Sequence, residues 1–220
     1  MLVRSWLIQN ASRLILIIAG ILAPLTLFGL LAEDVAEQEA FSFDEPIQMF
    51  VRARSTDFLD TPMYWVTQAG SVYAVTPFTL LLLVWLIKRG RRWDAAFWSI
   101  SVTGAAIINH LAKLLFARAR PSLWTSQVHE TSYSFPSGHV MSTMAVFAAL
   151  CVLVWPTKWR WPVVYIGGVF IGLVGASRVY LGVHYPSDVF AGWAASLAWV
   201  MALKLMLDHR GQAMAARSES

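Results

Sequence analysis

Long uncharged apolar stretches alternate with short polar segments along the whole chain. A membrane-spanning helix needs about 20 mostly apolar residues, within a range of about 17–25. Six stretches approach that length, and they are Leu14–Ala32, Thr61–Ile87, Ala95–Ala112, Val140–Thr157, Trp161–Ser177 and Val189–Leu203. The pattern predicts an all-α integral membrane bundle of six transmembrane helices, built as a single domain over residues 1–220.

The segment between the first two stretches has a different pattern. Phe43–Leu59 mixes apolar residues with glutamine and arginine at roughly helical spacing. Such an amphipathic segment suits a helix that lies in the membrane interface with its apolar face toward the acyl chains. We predict an interfacial helix here, and a plain loop is the alternative.

The fifth stretch carries a row of small residues. Gly168, Gly172 and Ala176 recur every four residues, which puts them on one face of a helix. Small side chains on one face let another membrane helix approach closely. We therefore expect this face to be a helix packing surface.

The composition agrees with a membrane protein and excludes several other classes. Of the 220 residues, 57% are hydrophobic and 14% charged, whereas globular proteins have about 45–50% apolar and about 25% charged residues. A disordered chain, a collagen-like fibre and a small disulfide scaffold are therefore excluded, and the single Cys151 cannot form an intramolecular disulfide. The net charge of +4 does not indicate nucleic acid binding. The basic residues lie between apolar stretches and do not form a basic run on a soluble domain.

The distribution of Lys and Arg predicts the orientation in the membrane. With a cytoplasmic N-terminus, eleven of the 17 basic residues fall in the inner segments and six in the outer ones. Membrane proteins carry an excess of Lys and Arg in their cytoplasmic segments. We therefore predict a multi-pass protein of the inner (plasma) membrane with both termini in the cytoplasm.

The outer ends of the third to sixth predicted helices carry polar residues that a plain bundle does not need. The first group is Lys113 and Arg120, the latter followed by Pro121. A lysine supplies a point charge and an arginine a planar pair of donors, which together suit a phosphate with several oxygens. The alternative is a basic helix end that reaches the membrane surface.

The second group opens the fourth predicted helix with Pro136, Ser137, Gly138 and His139. Ser137 is suited to cap the helix, and Gly138 lets the backbone approach a ligand closely. A helix N-terminus binds anions through its free N–H groups and its dipole, and a histidine beside that anion is suited to proton transfer. The alternative is an ordinary helix cap with an interfacial histidine.

The third group is Arg178, His184 and Asp188. Pro186 suits the first turn of the sixth helix, which puts His184 just before that helix and Asp188 within its first turn. A carboxylate there can accept a hydrogen bond from one imidazole nitrogen and leave the other free as a nucleophile. The alternative is a capped helix preceded by an unrelated histidine.

These three groups, in this order over residues 113–188, resemble the signature of the type 2 phosphatidic acid phosphatase (PAP2) superfamily, which includes bacterial membrane lipid phosphatases. The resemblance implies that His184 attacks phosphorus to form a phosphohistidine, that Asp188 orients it and that His139 protonates the leaving group. It also implies that the phosphoryl oxygens are bound by Lys113, Arg120, Ser137, Gly138 and Arg178.

The resemblance further implies a membrane lipid phosphate as substrate and no metal or other cofactor, because cationic side chains supply the charge stabilisation. The other histidines, His110, His129 and His209, fall in separate segments and are not expected to form a metal site. No nucleic acid and no obligate protein partner are expected. Phosphatidic acid, phosphatidylglycerophosphate and undecaprenyl pyrophosphate are all open as substrates.

Two other functions are open at this point. A vanadate-dependent haloperoxidase would use the same scaffold, but the membrane composition disfavours it. A transporter or channel could bind phosphate at its outer face without cleaving it. The pairing of His184 with Asp188 argues for chemistry, because transport needs no nucleophile.

The predicted orientation is testable by cysteine labelling in intact cells. A Ser126→Cys variant should react with a membrane-impermeant thiol reagent, because the loop that contains it is predicted to lie outside. An Arg91→Cys variant should stay unlabelled until the cells are permeabilised. Labelling of Arg91→Cys but not of Ser126→Cys would show the opposite orientation.

Overall fold

A computed structural model describes residues 10, 11, 13–124, 126, 128 and 130–218, the last of these, 208–218, by their backbone only. This part of the chain is helical without strands, as predicted. Its helices are α1 (Arg13–Ala36), α2 (Asp44–Arg52), α3 (Asp57–Ala69), α4 (Val72–Lys88), α5 (Arg92–Phe116), α6 (Gly138–Val154), α7 (Arg160–Tyr180) and α8 (Pro186–Ser218).

Four of the described helices are long and apolar enough to cross a membrane. They are α1, α5, α7 and the part of α8 from Pro186 to Leu207. The α3–α4 pair adds a fifth if it is counted as one span, and α6 is apolar but has only 17 residues. The chain is thus a multi-pass membrane protein, while the division into six spans remains a prediction.

The second apolar stretch is not one straight helix, in contrast to the sequence-based expectation. It is bent by 40° between α3 and α4. Gly70 ends α3 and Ser71, with extended backbone angles, precedes α4. Glycine is a poor helix former and serine favours the position before a helix, so the break falls where these two meet. Gly70 also packs closely against Val174 of α7.

The predicted amphipathic segment contains the short helix α2, and its last residues belong to α3 instead. The location of α2 at the membrane interface remains a prediction. Two of its polar residues, Asp44 and Gln48, are buried, with 3% and 0% of their surface exposed. A helix that only rested on the membrane would leave its polar face in water, so α2 is held by contacts within the protein.

The interior of the bundle is formed around α6, which packs against α5, α7 and α8. Trp98 of α5 is fully buried there, and its indole N–H donates to the backbone oxygen of Thr79 at 3.0 Å. Val140, Ala145 and Ala149 of α6 have no exposed surface. This packing fixes α6 along its length and thereby fixes the position of its N-terminus.

The packing face predicted for α7 was wrong in register. Gly168 has no neighbouring atom within 4 Å of where a Cβ would lie, and the same is true of Gly172. Gly167 and Gly175 make the close contacts instead, with Phe147 of α6 and Trp193 of α8 respectively. The spacing of small residues indicates that the helix packs against others. Which glycines make the contacts depends on where the bulky side chains of α6 and α8 lie.

A glycine at the contact between α5 and α8 offers a test of the helix packing. In Gly104→Ala the new methyl group would overlap the ring of Trp199, which is held by a 3.0 Å hydrogen bond to the backbone oxygen of Ser101. We expect a loss of about 1–3 kcal/mol, typical of overpacking, measured as a lower melting temperature in detergent. Gly168→Ala is the matched control, and an equal shift in both variants would contradict the packing described.

Candidate active site

The three predicted groups of polar residues meet at one end of the bundle. Lys113 lies near the end of α5, Arg178 near the end of α7 and Asp188 in the first turn of α8. Ser137 directly precedes α6, and its backbone N–H donates to the backbone oxygen of Asp188 at 3.2 Å. The remaining members are Arg120, Gly138, His139 and His184.

His184 lies in the turn between α7 and α8 and is fully buried. Its Nδ1 is 3.3 Å from Oδ2 of Asp188, and its Nε2 is 3.2 Å from Nη1 of Arg120. Because an arginine can only donate, Nε2 accepts and carries a lone pair, and the ring proton sits on Nδ1. The geometry therefore favours the tautomer in which Nε2 is unprotonated, the state that a nucleophilic nitrogen needs.

The surroundings keep the His184 imidazole neutral. Burial is the main cause and lowers the pKa of His184 to about 3, against the opposing effect of the hydrogen bond that His184 donates to Asp188. The positive charge of Arg178 lowers the pKa further. An uncharged imidazole at neutral pH is the form that can attack an electrophile.

Asp188 is fully buried and accepts hydrogen bonds on both carboxylate oxygens. Oδ2 accepts from the Ser134 hydroxyl, from the backbone N–H of Tyr185 at 2.9 Å and from His184. Oδ1 accepts from Nη1 of Arg118 at 2.5 Å. A carboxylate held at so many points cannot rotate away from the imidazole, which explains how it can orient His184.

Two arginines and one glutamate form a charged cluster beside His184. Arg178 donates to the hydroxyl of Thr67 at 2.7 Å and to the carboxylate of Glu130. Glu130 also lies 3.6 Å from Nη2 of Arg120. Burial raises the pKa of Glu130, but the charges of Arg178 and Arg120 and the hydrogen bond from Arg178 together outweigh burial, so the pKa of Glu130 lies below its usual range. The cluster therefore holds an anion between two arginines.

Arg120 is anchored by the backbone as well as by charge. Its guanidinium donates to the backbone oxygens of Ser132 at 2.8 Å and of Val183 at 2.7 Å. Burial lowers the pKa of Arg120, and the charge of Glu130 counteracts this. These bonds keep one edge of the guanidinium next to His184 Nε2.

Two buried donors in this region have no hydrogen-bond partner among the described residues. They are the hydroxyl of Ser137 and Nε of Arg178. The position of Ser137 before α6 matches the prediction, but its hydroxyl oxygen does not accept the predicted capping hydrogen bond from the backbone of α6. A buried donor without a partner costs about 1–3 kcal/mol, so such a pair is expected where a ligand supplies the acceptors.

The other predicted residues are positioned less directly. The Lys113 ammonium donates to the backbone oxygen of Tyr133. His139, the second residue of α6, is within electrostatic range of Arg178 and Glu130. The Cβ side of Gly138 faces Asn109 of α5, whose Oδ1 would lie 3.1 Å from an added Cβ. The glycine thus permits a close helix contact, a role that the sequence analysis did not anticipate.

Sequence reasoning missed most of the residues that hold the site together. Arg118 lies between Lys113 and Pro121 and stands out by its charge, but no role was predicted for it. Glu130 lies in the link to the second group and was also within reach of a charge-based search. The others lack a pattern that marks them as functional, and they are Asp44, Gln48, Thr67, Asn109, Ser134 and Ser187.

The remaining histidines lie elsewhere or outside the described residues. His110 is on an exposed face of α5. His129 and the side chain of His209 lie outside the part of the chain that the structure describes.

Known proteins resemble this chain in both sequence and fold. The profile described as the PAP2 superfamily matches residues 94–212. An undecaprenyl-diphosphatase of Sulfolobus acidocaldarius is 29% identical over 182 residues, which are 80% of this chain and 84% of the relative. Phosphatidylglycerophosphatase B of Bacillus subtilis is 30% identical over 175 residues, which are 77% of this chain and 86% of the relative.

A solved structure has the same arrangement of helices. The crystal structure of a transmembrane PAP2-type phosphatidylglycerolphosphate phosphatase from Bacillus subtilis superposes with a TM-score of 0.75. The two chains are 28% identical, and the match covers 84% of this chain and 96% of the other.

The tautomer and charge of His184 can be measured directly. In detergent-solubilised protein labelled with ¹⁵N-histidine, the His184 signals should report a neutral ring with the proton on Nδ1 from pH 7 down to pH 5. A lowered pKa keeps the ring neutral above that pKa, whereas a histidine with an ordinary value of about 6.5 is mostly protonated at pH 5. Protonation of the His184 ring between pH 7 and pH 5 would contradict the geometry.

Proposed function

Because the chain belongs to the PAP2 superfamily, we propose that this membrane phosphatase removes the terminal phosphate of a lipid phosphate or pyrophosphate through a phosphohistidine intermediate. The main support for this proposal is the pairing of His184 Nδ1 with Asp188, which leaves Nε2 unprotonated beside Arg120. The unpaired buried donors of Ser137 and Arg178 support a ligand rich in acceptor oxygens.

In the first step, the lone pair of His184 Nε2 attacks phosphorus. A phosphorus–nitrogen bond forms while the bond from phosphorus to the leaving oxygen breaks, and the electron pair of that bond goes to the oxygen. His139 gives its proton to this oxygen, so a lipid alcohol or a lipid monophosphate departs. Asp188 stabilises the positive charge that develops on the His184 ring.

In the second step, water attacks the phosphorus of the phosphohistidine. His139, now neutral, takes a proton from the water as the oxygen–phosphorus bond forms. The phosphorus–nitrogen bond breaks and returns its electron pair to Nε2. Inorganic phosphate leaves, and both histidines are restored to their starting states.

The phosphoryl oxygens are held by Lys113, Arg120, Arg178, the Ser137 hydroxyl and the Gly138 amide. Their charges and donors stabilise the equatorial oxygens as charge shifts in the transition state. We propose that no metal ion is needed for this reason. Glu130 lies between the same two arginines, so the incoming phosphate either displaces its carboxylate or shares the guanidinium groups with it.

The substrate is proposed to be a lipid that reaches the site from the outer leaflet. This assignment rests on the charge distribution of the loops and on the lipid substrates named for the relatives. The link from Ser122 to Phe135 has only 14 residues. Such a link is too short for a separate domain that recognises the head group, so we expect loose head-group selectivity.

The alternatives are weaker on the same observations. A phosphate transporter has no use for a nucleophile that is fully buried and oriented by a carboxylate. A haloperoxidase on this scaffold is disfavoured by the long apolar helices of a multi-pass membrane protein.

Assaying three lipids side by side tests the function. Purified protein in EDTA-containing buffer is given phosphatidic acid, phosphatidylglycerophosphate or undecaprenyl pyrophosphate, and released phosphate is measured. His184→Ala is the negative control. Absence of release from all three lipids by the intact protein would contradict a lipid phosphatase, and activity that returns only on adding magnesium would contradict a metal-independent mechanism.

The roles of the two histidines predict different responses to the leaving group. His184→Ala should be inactive on every substrate and form no phosphoenzyme, because the nucleophile is lost. His139→Ala should lose about 10²–10⁴-fold on a lipid phosphomonoester, the usual contribution of a general acid. It should recover part of its activity on an activated aryl phosphate, whose leaving group needs no proton. The reverse pattern would show that the roles are exchanged.

A further inference from the structure

A buried carboxylate from outside the three groups is connected to Asp188 through one arginine. Asp44 of α2 is 3% exposed and lies well before residues 94–212, which the family profile matches. Arg118 donates through Nη2 to Asp44 Oδ2 at 2.9 Å and through Nη1 to Asp188 Oδ1 at 2.5 Å. One guanidinium thus bridges the two carboxylates.

Asp44 also binds the start of the helix that carries Asp188. Its Oδ1 accepts from the backbone N–H of Ser187 at 2.9 Å, and its Oδ2 accepts from the Ser187 hydroxyl at 2.5 Å. The N–H groups in the first turn of a helix have no partner within the helix. Asp44 therefore supplies a cap to α8 from another helix, and its negative charge is favourable at that end.

The helix α2 also contacts the turn that carries His184. Gln48, one turn after Asp44, is fully buried and donates to the backbone oxygen of His184 at 3.2 Å. Asp44 and Gln48 thus contact the residue beside Asp188 and the backbone of His184 itself. The turn from His184 to Asp188 is held between α2 and the rest of the bundle.

These contacts determine what Arg118 can do. Its side chain is mostly buried, with 15% exposed, and its planar fork fits two carboxylates at once. Without Asp44, one half of the guanidinium would lack its partner and the arginine could turn away from Asp188 Oδ1. Asp188 would then keep only the contacts on Oδ2, and its plane would be less well defined relative to His184 Nδ1.

From this geometry we infer that Asp44 is a positioning residue for the reaction, which acts through Arg118 and Ser187 to align the Asp188 carboxylate with His184. The inference rests on the proposed function for its effect on turnover. Asp44 touches neither the substrate nor the reacting atoms. Its effect should therefore appear in the chemical step and not in phosphate binding.

The test is Asp44→Asn, which keeps the shape of the side chain and removes its charge. We expect kcat on a lipid phosphate to fall by roughly 10–100-fold, the size of effect seen when a residue that orients a ligand of a metal site is lost. KM and the inhibition constant of inorganic phosphate should change little, because Arg120 and Arg178 are untouched. Glu45→Gln, the same charge change at the exposed neighbouring position of α2, should behave as the unmodified protein.

A second variant tests the same bridge at Arg118, and the His184 spectrum provides a second readout. Arg118→Lys keeps the charge but cannot bridge both carboxylates, so it should lower kcat in the same way. In ¹⁵N-histidine spectra, both variants should weaken the preference of the His184 proton for Nδ1. This readout does not need an active enzyme, so it separates failure of the inference from failure of the proposed function.

Three possible results decide whether Asp44 is a positioning residue. An unchanged kcat and an unchanged His184 spectrum in both variants would overturn the inference. A loss of kcat that only parallels a loss of folded protein, with normal turnover per folded molecule, would show a purely structural role and would also overturn it. A lower kcat with an intact inhibition constant for phosphate would support it.

Discussion

The carboxylate of Asp188 is the point at which the separate parts of this molecule meet. It is fully buried, and its donors come from two segments: Arg118 and Ser134 lie in the loop between α5 and α6, and His184 and the backbone N–H of Tyr185 lie in the turn between α7 and α8. A buried charge is tolerated only when it is paired and hydrogen-bonded. The need to satisfy this one group therefore constrains the loops at one end of the bundle, the end that also carries the cations proposed to bind the phosphate.

The cations of the site raise the opposite problem, because several positive charges lie close together with limited access to water. Glu130 relieves the repulsion by pairing with Arg178 and Arg120. The phosphate of a substrate can do the same with more acceptor oxygens than a carboxylate has. An anion is thus part of the resting arrangement as well as of the proposed complex, and the arginines need little reorganisation when one replaces the other.

The helical class and most of the apolar helices were predictable, because the apolar stretches are long and hydropathy responds directly to burial in lipid. The bend at Gly70 and Ser71 was missed, since both residues are compatible with an uncharged stretch and the break depends on backbone preferences that hydropathy does not register. The positions of His184 and Asp188 around the start of α8 followed from Pro186. Glu130 and Ser134 were missed because a loop has no periodicity that reveals which side chains turn inward.

Asp44 illustrates a deeper limit of reading function from a signature. A charged residue such as Asp44 is expected to be exposed to solvent. Its burial is explained only by its contacts with Arg118 and with the first turn of α8. Breaking such a buried pair by removing one partner costs about 3–5 kcal/mol, mostly because the other charge is left alone. Residues 94–212 contain the groups proposed to perform the chemistry, but Arg118 and the N–H of Ser187 in that region bind a carboxylate from α2. The contacts that hold the proposed site therefore extend beyond the segment that carries its motifs.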